Sequence, residues 1–126
     1  MTPQPDYLAA LGRAVFAFAA LEAAAIQACE GLEPGGIAAL EERTAGRVAD
    51  RLLHAALEAR QPELVAAARR FQALVRSRNN LLHAKPKLDP EGAARLYRDG
   101  DAWSQAEISD IAAAFDACAA EISHPA

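Results

Sequence analysis

A chain of 126 residues that is 52% apolar is long enough to bury a core without disulfide or metal staples, and its formal net charge of −4 argues against a general nucleic-acid binder. The apolar residues are mostly Ala and Leu, aromatics are few and β-branched runs are absent, which predicts an all-α fold in a single domain over residues 1–126. Two cysteines, Cys29 and Cys118, read as small buried hydrophobes; with no CxxC spacing and no Cys/His cluster they suggest no zinc site, and no metal or cofactor is expected.

In chain order, the first helix is predicted over residues 5–31. Its apolar stripe reads Leu8, Leu11, Val15, Phe18, Glu22, Ala25, Cys29, spaced alternately three and four. Residues 14–29 contain Glu22 and lack a basic start, so a signal peptide is rejected. The stretch is also too short and too charged to span a membrane, and a cytoplasmic protein is expected. Glu33-Pro34-Gly35-Gly36 breaks the chain, and a second helix is predicted over 37–60. Pro62 suits the first turn of a third helix over 62–83, whose stripe is Leu64, Ala68, Phe71, Val75, Arg78, Leu82. Pro86 ends it nearby. Residues 85–103 read as non-helical, with Asp99-Gly100 between short extended runs predicting a hairpin or an extended arm. Ser104-Gln105-Ala106-Glu107 is a capping-box pattern that starts the last helix, which carries Ile108, Ile111, Phe115 and Ile122. Four amphipathic helices with mostly short connections predict an antiparallel four-helix bundle elaborated by that arm.

Charge is distributed unevenly. Between Leu64 and Leu88 lie Arg69, Arg70, Arg76, Arg78, Lys85 and Lys87 with no acidic residue, while the rest of the chain is strongly acidic. An acidic body with one basic segment predicts a local anion site, to which Arg76, Lys85 and Lys87 contribute RNA or anion contacts. Within that segment Arg78 falls on an apolar stripe, where a cation is costly without a partner or a task. Glu22 is the matching anomaly on the first helix. A pair is expected, either architectural or with Glu22 orienting Arg78 toward an anionic ligand.

Asn79 and His83 lie four residues apart on one helix face. Arg78 and His83 are five apart, roughly 140° around an axis of about 3.6 residues per turn, so they flank Asn79 unless a second copy of the helix intervenes. An imidazole can give or take a proton near neutral pH, and a guanidinium can bind phosphate through two hydrogen bonds. That set suits metal-independent RNA cleavage, in which a ribose 2′-hydroxyl attacks the adjacent phosphate.

Arg78-Asn79-x-x-x-His83 resembles the Arg, polar residue, then His signature of HEPN domains. Residues 12–22, with Leu21-Glu22 after an aromatic, are similar to the opening helix of small bacterial HEPN-like proteins, and Thr44-Ala45-Gly46-Arg47-Val48 to the early part of their second core helix. The resemblance covers about residues 8–122. It implies a small helical bundle, commonly a homodimer, with metal-independent ribonuclease activity in toxin–antitoxin or antiphage systems. Arg78 would contact the scissile phosphate, His83 would do acid/base work and Asn79 would position them, with two motifs facing each other across the dimer and an antitoxin protein as a possible partner. Lys85 stands where some HEPN toxins carry a tyrosine that an antitoxin modifies, a departure that argues against silencing by that route. The alternatives are a non-catalytic HEPN-like module binding a nucleotide, RNA or protein, and a plain helical interaction protein in which Arg78–Glu22 is structural; no membrane association is expected. Glu121-x-x-His124 occurs once near the terminus and has no second copy, so a di-iron centre is not expected. His54 reads as a satisfied polar position, and Trp103 as a lid over the bundle.

Overall fold

The computed structural model describes residues 1–125. About 70% of the chain is helical, in five helices, and a small three-stranded sheet is added to them. The expectation of an all-α chain is therefore corrected. The extended segment before the last helix is hydrogen-bonded sheet, because Pro86 and the Asp99-Gly100 turn keep that stretch out of a helix.

Helix α1 spans Pro5–Leu32, with Pro5 in the first turn. Its buried face is Tyr7, Ala10, Ala14, Ala17, Phe18, Leu21, Ala25, Ile26 and Cys29. Leu8 and Val15, read from the sequence as core, are 47% and 59% exposed. The alanines explain the rotation: small side chains let α1 approach α5 and α3 closely, and the bulkier Leu8 and Val15 are left outside. At 28 residues α1 is long and apolar enough to cross a bilayer by length and composition, contrary to the sequence expectation, and a third of its most apolar stretch is buried in the fold.

The Glu30 carboxylate accepts hydrogen bonds from the backbone N–H groups of Gly35, Gly36 and Ile37 at 2.9, 3.2 and 3.2 Å, which fastens the next turn onto α1. Gly35 has φ +103°, a conformation suited to glycine. The predicted second helix is two: α2, the single turn Ile37–Glu41, and α3, Ala45–Glu58. Thr44 separates them. It stays extended and its hydroxyl caps the N–H of Arg47, a role that suits a β-branched hydroxyl residue better than a helix interior does. Arg60, at φ +55°, ends the following turn before α4, Pro62–Leu82. Helix α4 buries Leu64, Ala67, Ala68, Phe71, Val75 and Leu81, while Leu82 is 55% exposed and Arg78 half-buried.

Strands β1 (Lys85–Leu88), β2 (Ala94–Arg98) and β3 (Asp101–Ala102) form an antiparallel sheet in that order. Asp99 and Gly100 both have positive φ, as a tight hairpin requires, so the predicted hairpin forms. Pro86 sits on the edge strand β1, where a missing N–H does least harm. Tyr7 ties the sheet to α1. Its hydroxyl accepts from the Leu96 N–H at 3.0 Å and donates to the Trp103 carbonyl at 2.8 Å, bridging these two groups while the Trp103 N–H donates directly to the Leu96 carbonyl at 2.8 Å. Trp103 packs against the core, as expected. Helix α5, Gln105–Ser123, opens with both limbs of the Ser104–Glu107 capping box.

The four longer helices share one apolar core, with α1 against α5 and α3, and α4 against α3 and α5. Phe18 lies between Phe71 and Phe115, with ring centroids 6.2 and 5.0 Å away. Both cysteines are free and buried in this core, and burial pushes the Cys29 thiol up to about 11 and raises that of Cys118.

Candidate functional site

Phe18 determines where Arg78 goes. The Arg78 guanidinium carbon lies 4.4 Å from the centroid of the Phe18 ring, whose other neighbours are the core aromatics. A planar guanidinium on an aromatic face gains a cation–π attraction without a counter-ion. Its Nε is buried and has no hydrogen-bond partner. Around it is a cleft of about 200 Å³, walled by Val15, Phe18 and Glu22 of α1, Leu81 and Leu82 of α4, and Phe115 of α5. The walls are mainly apolar, so a charge entering the cleft meets the guanidinium in poorly screened surroundings.

Glu22 lines the same cleft but makes no ion pair with Arg78 among the described residues. The expected carboxylate–guanidinium pair is thus not formed, and the Phe18 ring takes the carboxylate's place. Asn79 and His83 are exposed and do not line the cleft. His83 terminates α4, its N–H bonded to the Asn79 carbonyl at 2.9 Å. The separation predicted from helix geometry therefore persists within one chain.

The basic segment does not gather into one patch, because a period of 3.6 spreads successive cations around α4. Arg76 lines a different cleft with Asp50 and Gln72, and Arg70 is paired with Glu121. Lys85 and Lys87 project from β1, with the Lys87 ammonium 5.1 Å from the Tyr97 ring centroid. Arg78 is the one member of the segment in the apolar cleft. No cluster of three metal-ligating side chains occurs among the described residues, and Glu121 is engaged by Arg70. His54 meets Glu58 at 3.1 Å on the surface of α3, as a satisfied polar position should.

Two features escaped the sequence reading. Phe18 was assigned only to the core, although an aromatic four residues before Glu22 on the same stripe was a visible platform for a cation. Arg43, Arg47 and Arg51, spaced by four, carry no functional expectation from the sequence and line one cleft. Compared with protein-family models, curated proteins and solved structures, the chain gives no significant match.

Proposed function

We propose that the chain is a HEPN-like antiparallel four-helix bundle acting in the cytoplasm as a homodimeric, metal-independent endoribonuclease, a toxin or antiphage effector. The observation that carries this reading is the Arg78 guanidinium, with a buried and unpartnered Nε, at an open cleft beside Glu22. A phosphate supplies the acceptors that guanidinium lacks. Val15 and Leu82 on the rim are exposed and apolar, and a second copy covering them brings the His83 of one chain toward the Arg78 of the other. One imidazole takes the proton of the ribose 2′-hydroxyl as the 2′-oxygen–phosphorus bond forms. The 5′-oxygen–phosphorus bond breaks, and the other imidazole protonates the leaving oxygen. Arg78 stabilises the charge on the intervening phosphorane, and Asn79 orients the imidazole. The products are a 2′,3′-cyclic phosphate and a 5′-hydroxyl.

A second reading, a non-catalytic module that holds RNA, a nucleotide or an anionic protein segment at Arg78, is favoured by the position of His83 outside the cleft. The two readings part at His83. Purified protein with excess chelator is incubated with an RNA panel beside His83→Ala, and ends are analysed for cyclic phosphate. Cleavage by the wild type that falls by at least about a hundredfold in the variant supports the nuclease. RNA left intact by a folded wild type removes the nuclease reading and leaves the binding module.

A further inference from the structure

A second cleft lies about three turns of α1 beyond Phe18, where the end of α1, the α2 turn and the start of α3 meet. Its volume is about 470 Å³, within the range of small-molecule sites. The floor is apolar, formed by Cys29, Ala39 and Leu40, and the raised thiol of Cys29 keeps it uncharged at neutral pH. The wall that carries Ala39 and Leu40 is held in position by the three hydrogen bonds that Glu30 accepts.

The rim carries Arg43, Arg47 and Arg51 against the acids Glu33 and Asp50, the latter accepting a hydrogen bond from the Gln72 amide at 2.9 Å. Arg47 and Arg51 are like charges four apart on α3, which repel, and Arg43 adds a third from the turn just before it. Arg43 and Arg47 also flank the positive end of the α3 dipole, in a first turn that has no acidic residue. Only Arg51 is neutralised, by Glu33; Arg43 and Arg47 make no ion pair among the described residues. Both conflicts vanish if an anion is held between Arg43 and Arg47. Glu33 adds a second request. One of its oxygens receives Arg51, and the other, Oε1, is buried without a donor. Sulfate has no donor to offer, and hydrogenphosphate carries its P–OH on the same small ion that must neutralise the arginines, whereas an organic phosphate bearing hydroxyl groups presents donor and anion at separate places.

We propose that this cleft binds a hydroxylated phosphomonoester of about mononucleotide size, with its phosphate on Arg43 and Arg47, a hydroxyl donating to Glu33 Oε1, and its less polar body on Leu40 and Ala39. Free nucleotides and sugar phosphates share this chemistry. The site is independent of Arg78 and does not rest on the ribonuclease reading.

The test is calorimetric titration of the full chain with UMP, ribose 5-phosphate, uridine and inorganic phosphate. UMP or ribose 5-phosphate binding at least about tenfold tighter than both phosphate and uridine is the expected result. UMP ahead of ribose 5-phosphate identifies the nucleotide as the source, and the reverse or parity identifies the sugar phosphate. The double variant Arg43→Gln/Arg47→Gln, changed at two exposed side chains, should fold normally and lose at least about tenfold in affinity, while Arg78→Met keeps it. Glu33→Gln should weaken the esters and leave phosphate unaffected. No ester binding below about 1 mM, phosphate binding as tightly as the esters, or an unchanged double variant each overturns the proposal.

Discussion

Replacing Arg78 by methionine should not destabilise the protein. Three contributions set the expected size. Removing the buried, unpartnered Nε–H relieves a desolvation cost of about 1–3 kcal/mol. Loss of the guanidinium from the Phe18 face, 4.4 Å from the ring centroid, costs about 0.5–2 kcal/mol. The methionine thioether recovers about 0.3–1.5 kcal/mol against the same ring and keeps the apolar contacts of the arginine stem. The balance is centred on a gain of about 1.7 kcal/mol, between limits of about −0.7 and +4 kcal/mol, and the central value is a rise in Tm of about 6 °C for a chain of this size. Urea unfolding of wild type and Arg78→Met at one fixed protein concentration measures it, since a dimer would make the midpoint concentration-dependent. The same variant should lose RNA or anion binding at the α1–α4 cleft. Had Arg78 been one half of a buried ion pair with Glu22, breaking it would cost about 3–5 kcal/mol. A destabilisation above about 1 kcal/mol therefore refutes the reasoning: it means that Arg78 is held by partners and is structural. A gain in stability with a loss of ligand is the pattern of a residue retained for function against the interest of the fold.

Tyr7→Phe removes the hydroxyl that bridges Leu96 and Trp103 and should cost about 2 kcal/mol, read as a fall in Tm of about 6–10 °C and faster hydrogen exchange at the Leu96 amide. Unchanged stability would mean that the two backbone groups pair directly once the hydroxyl is gone. Because the folded Cys29 thiol titrates at about 11 against an ordinary value of 9.0, its contribution to stability is complete below pH 9 and is lost as the pH rises toward 11; wild-type urea midpoints should fall over that window more steeply than those of Cys29→Ala, and parallel curves would contradict it.

The features legible in the sequence are those decided by a few adjacent residues. Pro5 and Pro62 start helices, Ser104 with Glu107 caps one, and Asp99-Gly100 turns a hairpin, each through bonds made within four residues. Thr44 was legible in principle, since a hydroxyl three residues before the N–H it caps is a local signal, but Leu40 and Val48 on either side suggested a continuous helix. Faces and partners depend instead on what fits across the core. Helix α1 offers two apolar stripes, and only the fit of Ala10, Ala14 and Ala17 against other helices chooses between them. The anomaly of Arg78 was legible because a cation interrupts a run of apolar residues; its resting place was not, because Phe18 and Glu22 lie on the same stripe of α1 and spacing cannot rank a ring above a carboxylate. The two stripe residues left outside still require an account. Leu8 and Val15 of α1, with Leu82 of α4, form exposed apolar surface, and Val15 and Leu82 border the Arg78 cleft. In the proposed dimer that surface faces a second copy. Val15, the exposed member of the stripe at the Arg78 cleft, is then covered by another chain, and the cleft it borders is completed by the same contact. The unpartnered guanidinium and the exposed stripe thereby have one explanation, which a monomeric helical interaction protein does not supply.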